Sequence, residues 1–151
     1  MAILIEANAR FVAAVMVCAF VLTVIVAAQE LTGKELCGRL TAEEVSAAVG
    51  VGRTAQAGDD RCTYAKSGSP AIRLVNSTSD TREEFIELVK TLKGTVQDGP
   101  GGSVISSVAF DLQKGKTSAA WFILGKSPVE LEFDRGLEID KARALVEAAR
   151  R

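Results

Sequence analysis

Thr117-Ser118-Ala119-Ala120-Trp121-Phe122-Ile123-Leu124, then Gly125-Lys126-Ser127-Pro128, then Val129-Glu130-Leu131-Glu132-Phe133-Asp134: this stretch decides the fold class. Its first eight residues are apolar on both faces, as a central strand requires. The Gly-Lys-Ser-Pro tetrad turns the chain. The last six alternate, with Val129, Leu131 and Phe133 inward and Glu130, Glu132 and Asp134 outward. Two such runs joined by a short turn read as antiparallel neighbours.

The same periodicities extend outward. Upstream, Val104 to Leu112 alternates, placing Val104, Ser106, Val108, Phe110 and Leu112 on one face, and Lys114-Gly115 forms a hairpin tip. Downstream, Asp140 caps a last helix with Ala142, Leu145, Val146 and Ala149 in one stripe. Further upstream, Asp80 with Glu83 starts a helix in which Phe85, Leu88, Val89 and Leu92 share a face. Lys90 and Lys93 fall in its last turn and Gly94 ends it. Before it, Arg61–Lys66 reads as a strand with Cys62 and Tyr64 on one face. Gly58-Asp59-Asp60 is the turn ahead of that strand. Ser67-Gly68-Ser69-Pro70 leads into a second strand, Ala71–Ser77, with Ile72 and Leu74 inward and Arg73 outward. Thr41-Ala42-Glu43-Glu44 is a capping box, Leu40 and Val45 its hydrophobic staple, and Gly50 the left-handed end of that helix. The expected fold is therefore α+β: an antiparallel sheet of about five strands, helices packed mainly on one face, order α-β-β-α-β-β-β-α.

A hydrophobic segment precedes this domain. Hydrophobic residues make up 48% of the 151-residue chain, and the excess lies in Phe11–Ala28, which carries no charge. Arg10 stands before the run, and Val26-Ala27-Ala28 ends it with the small residues that signal peptidases accept. Residues 1–28 thus read as a signal peptide cleaved after Ala28, with a retained anchor as the competing reading, since the run just reaches membrane-spanning length. A buried core helix is disfavoured because the segment has no polar face. Residues 29–36 form a polar lead-in, and 37–151 a single domain. Neither Cys18 nor Cys37 stands where a lipid anchor requires it.

Without the export segment two cysteines remain, Cys37 and Cys62. An even count in an exported domain reads as a disulfide. The alternative is a pair of buried thiols. A structural zinc site is excluded, because the chain has no His and two Cys cannot complete a tetrahedral set.

The chemistry-bearing motifs are few. Absence of His removes the commonest general base and the Ser-His and Cys-His pairs. No Ser-x-x-Lys or Gly-x-Ser-x-Gly occurs. Gly115-Lys116-Thr117 imitates the end of a phosphate-binding loop, but Phe110 stands where that loop needs Gly, so it reads as a hairpin turn. No metal or cofactor is expected. Glu130, Glu132 and Asp134 read as the solvated face of an edge strand, where charge discourages association. Asp59-Asp60 reads as a turn pair, Trp121 as core, and the Asn76-Ser77-Thr78 sequon as coincidental. Gly99-Pro100-Gly101-Gly102-Ser103 is a loop that either binds a partner or merely connects. A net charge of −1 gives no bias toward nucleic acid.

Four of these segments carry a resemblance: Cys37-Gly38-Arg39-Leu40-Thr41-Ala42-Glu43-Glu44-Val45, Cys62-Thr63-Tyr64, Gly99–Ser103 and Asp140–Leu145. Together they resemble small exported bacterial envelope domains of uncharacterised function, often lipoproteins. The resemblance covers most of Cys37–Arg151 and implies a disulfide-bonded α+β domain without catalytic residues. The chain departs from that pattern in lacking the lipidation cysteine.

The leading functional expectation is a non-catalytic binding or protein-interaction module, exported to the periplasm or exterior. Its partner would be an envelope protein or small ligand, met by Gly99–Ser103 or an uncovered sheet face. Membrane contact would come only through Phe11–Ala28, if retained. Alternatives are a carboxylate hydrolase using Asp111, Glu130, Glu132 or Asp134, and a membrane-anchored accessory subunit.

Overall fold

The structure, a computed structural model, describes residues 28–108 and 115–151. The expected N-terminal hydrophobic helix therefore falls outside the described residues, as do Phe110, Asp111, Leu112 and Lys114. Among the described residues no helix is long and apolar enough to cross a membrane.

The chain is α+β, built on one antiparallel sheet. The elements are α1 (Gly33–Arg39), α2 (Ala42–Val49), β1 (Thr54–Ala57), β2 (Arg61–Ala65), β3 (Ile72–Asn76), α3 (Arg82–Thr91), β4 (Thr95–Asp98), β5 (Val104–Ser107), β6 (Lys116–Leu124), β7 (Ser127–Glu138) and α4 (Ile139–Ala149). Among the described residues the sheet has seven strands in the order β1-β2-β3-β7-β6-β5-β4, every neighbouring pair antiparallel. This corrects the expectation of about five strands and the order α-β-β-α-β-β-β-α. The two additional strands, β1 and β4, are the sheet's edges. Both are short and mostly exposed, so neither carries the hydrophobic alternation that announces a half-buried strand.

The second correction concerns residues 29–36. Thr32 accepts from the Glu35 amide while Glu35 reaches back to the Thr32 amide, a capping box that starts α1 inside the expected lead-in. The Thr41–Glu44 box and Gly50 (φ 73°) bound α2 as expected. α3 begins one residue later than expected, with Thr81 and Glu84 as its box in place of Asp80 and Glu83. α4 begins after Glu138 with no side-chain cap, so Asp140 lies inside its first turn.

The helices divide between the two faces of the sheet. α1, α2 and α4 cover one face, burying Leu36, Val45, Val49, Leu145 and Val146 on Cys62, Tyr64, Leu74, Phe122 and Leu131. α3 lies on the other face at the β4-β5-β6 end, where Phe85 and Val89 pack on Val104 and Trp121. Trp121 is core, as expected: its ring stacks on Phe85 at 6.4 Å and its Nε1 donates to the Ser79 carbonyl at 3.1 Å. β5 is consequently buried on both sides, Val104 and Ser106 toward α3 and Ile105 toward the larger core.

Cys37 of α1 and Cys62 of β2 are joined by a disulfide, their Cα atoms 5.1 Å apart. The same junction explains Gly33. Its amide donates to the Asp59 carbonyl at 2.9 Å, and a Cβ there would lie 2.0 Å from the Gly58 oxygen. Gly33→Ala must push α1 off the β1–β2 turn, at an expected loss of about 1–3 kcal/mol in urea unfolding. Gly38→Ala in the same helix, where a Cβ meets nothing within 4 Å, is expected to be neutral or stabilising. Equal effects from the two substitutions would show that the close approach carries no weight.

Candidate functional site

Among the described residues three helices lie on one face of the sheet and one on the other, and none of them covers the outer face of β1, β2, β3 and β7. Across β1, β2, β3 and β7 the uncovered face carries the row Gln56–Thr63–Arg73–Glu132 in direct register. A parallel row joins Arg61, Val75 and Glu130 and runs on to Trp121 under α3. This face is polar, and its carboxylates outnumber its arginines. Arg73 Nη1 lies 2.6 Å from Asp134 Oδ1 and 3.4 Å from Glu132 Oε2, and its Nη2 donates to Asp134 Oδ2 at 3.0 Å.

The carboxylate row therefore stands on a central strand. This corrects the reading of Glu130, Glu132 and Asp134 as the face of an edge strand, because strand order follows long-range pairing and β7 lies between β3 and β6. Glu132 and Asp134 share one arginine. Glu130 accepts a hydrogen bond from the Ser77 hydroxyl. Burial pushes the Glu130 carboxyl above its ordinary range, and the Ser77 bond offsets that only in part.

A raised folded pKa means that the folded protein holds a proton the unfolded chain has already lost. Stability should then fall as pH rises from about 4.5 through the higher folded value, and stay lower at neutral pH. Glu130→Gln keeps an acceptor for Ser77 and removes the ionisation. Urea midpoints measured across that window are expected to fall for the native chain, with this component lost in the variant. Parallel pH profiles would show that Glu130 ionises freely in the fold.

Gly99–Ser103 is the connection of the β4–β5 hairpin, closed by Asp98 opposite Val104. Gly99 and Ser103 bond across it (2.8 Å), and Pro100–Gly102 makes a single 3-10 turn in which Gly101 is left-handed (φ 57°). α4 fastens the loop. Arg150 donates to the Pro100 carbonyl at 3.1 Å and Arg143 to the Asp98 carbonyl at 3.1 Å. The Arg150 guanidinium occupies the space that a Cβ on Gly101 would fill. Gly101 and Gly102 are exposed, while the Ser103 side chain is buried.

Other motifs find structural duties. Asp59-Asp60 turns between β1 and β2. Gly115-Lys116-Thr117 enters strand β6, with no helix behind it. The Asn76 amide of the sequon is engaged at both ends by Leu31, accepting from its amide (2.9 Å) and donating to its carbonyl (2.7 Å). Among the described residues no group of three His, Cys, Asp or Glu side chains is placed to hold a metal.

Sequence reasoning missed Arg53 and the bend in β7. Neither has a local signature: Arg53 follows a glycine-containing turn, and the bend exists only as a mismatch of register with β6. The fold and its surfaces define a disulfide-stapled α+β domain on a half-covered antiparallel sheet. Comparison with known proteins finds no matching family model, no similar curated protein and no similar solved structure.

Proposed function

We propose that this chain is an exported, non-catalytic binding or protein-interaction module of the cell envelope, of the kind its cysteine and capping motifs resemble. Export is supported by the disulfide, since such bonds persist in oxidising compartments. The interaction role rests on one observation: the half-face of β1, β2, β3 and β7 that no described helix covers, presented by a sheet whose other face is packed against three helices. A platform of polar side chains already held by hydrogen bonds and by the Arg73 ion pairs meets a partner with little ordering penalty.

A photo-crosslinking residue at Thr63, central on this face, is expected to give one discrete adduct in cells producing the full chain. The same residue at exposed Glu147, on α4, serves as the control. No adduct at Thr63, or equal adducts at both positions, would overturn the reading. The intact mass of the envelope-recovered protein separates cleavage after Ala28 from a retained anchor.

A further inference from the structure

At one end of the sheet the strands part. β6 and β7 pair as Thr117 with Leu137 and as Ala119 with Glu132, so Ser118 alone stands opposite Phe133–Gly136. The surplus residues bulge from the ladder, and Gly136 takes a left-handed φ of 75° to bring the strand back. Irregularities of this kind bend a strand and re-aim its side chains, and they concentrate beside binding sites. Here the bulge opens a cavity of about 220 Å³ between β7, the C-terminal end of α2 and the loop before β3. Val49, Val51, Ile72 and Phe133 give it an apolar lining.

Two cations reach the same cavity, Arg53 and Lys116. Arg53 is fixed in place: its Nη1 donates to the Tyr64 carbonyl at 3.0 Å and to the Pro70 carbonyl at 2.8 Å. Both acceptors are neutral, and the Arg53 Nε is buried without any acceptor. None of the ion pairs among the described residues includes Arg53 or Lys116. The carboxylate in the lining, Asp134, is turned to Arg73. A half-buried guanidinium held rigid without a counter-ion is pre-organised for an anion.

We infer that this cavity binds a small organic acid, its carboxylate facing Arg53 and Lys116 and its apolar body lying on Val49, Val51 and Phe133. The volume is below the roughly 300–1,000 Å³ of drug-sized sites, which suits a compact metabolite-sized ligand. Thr63 does not line this cavity, and the inference does not depend on the interaction reading.

The test is NMR shift mapping on the full chain in detergent solution, with three probes: benzoate, its neutral isostere benzamide, and inorganic phosphate. Benzoate is expected to move the Val51, Ala71 and Gly136 amides saturably, and benzamide to bind about ten-fold more weakly, a difference of about 1.4 kcal/mol. Lys116→Gln should weaken benzoate several-fold while leaving the remaining shifts unchanged, which also shows that the variant folds. Equal binding of benzoate and benzamide would overturn the inference, as would shifts scattered over the surface or no saturation. Phosphate binding as tightly at the same amides would replace the organic acid by an inorganic anion and equally overturn it.

Discussion

Replacing Cys37 and Cys62 together by serine is expected to lower the free energy of unfolding by about 3.5 kcal/mol, the chain-entropy value for the 25-residue separation they close. That is a large share of the roughly 5–15 kcal/mol available to a domain of this size. The loss has a structural address. α1 holds few residues and buries little more than Leu36 along its length, and it is seated on the β1–β2 turn through Gly33. Without the bond, α1 and edge strand β1 should open together before the β3-β7-β6 centre. Urea unfolding of the variant should coincide with that of the native chain in reductant. Hydrogen exchange should show protection lost first at residues 33–40 and 54–65. A loss under about 1 kcal/mol would mean that the unfolded chain is not the state the bond restrains.

Phe122→Ala is expected to cost about 3–5 kcal/mol. Phe122 is 1% exposed on β6, beneath α4 in the larger core, and pairs across the hairpin with Val129. Its neighbour Ile123 points to the opposite face and is 39% exposed, so Ile123→Ala should cost well under half as much. The contrast between adjacent residues tests the register directly, because a one-residue slip exchanges the faces of the strand. Equal losses would contradict the pairing of β6 with β7.

The strand that carries this contrast is legible in the sequence. Thr117–Leu124 reads as a central strand and is one, and Val129, Leu131 and Phe133 point into the core as their alternation requires. The Thr41–Glu44 box, Gly50 and the stripe of α4 are equally plain, because each is a contact between residues at most a turn or two apart. The α1 box is legible too: Thr32-Gly33-Lys34-Glu35 has the spacing, but a helix of two turns leaves almost no apolar stripe to draw attention to it.

What lies beyond such reading is set by partners distant in sequence. Thr54–Ala57 and Thr95–Asp98 become strands only because β2 and β5 offer them a ladder. The carboxylates of β7 stand at the centre of the sheet, not at an edge, because β3 pairs along its other side. Arg53 gains meaning when Tyr64 and Pro70, from two other segments, present their carbonyls to it.

By itself, then, the sequence determined the α+β class, the antiparallel central hairpin, the bounds of α2, the apolar stripes of α3 and α4, and the pair of cysteines available for a bond. Those follow from short-range hydrogen bonding and from the period of the apolar residues. Tertiary structure alone decided the number and order of strands, the division of helices between the faces, the half-face that no described helix covers and the bulge over the cavity. Strand pairing and packing are interactions between segments remote in sequence, and no local pattern encodes which segment will arrive.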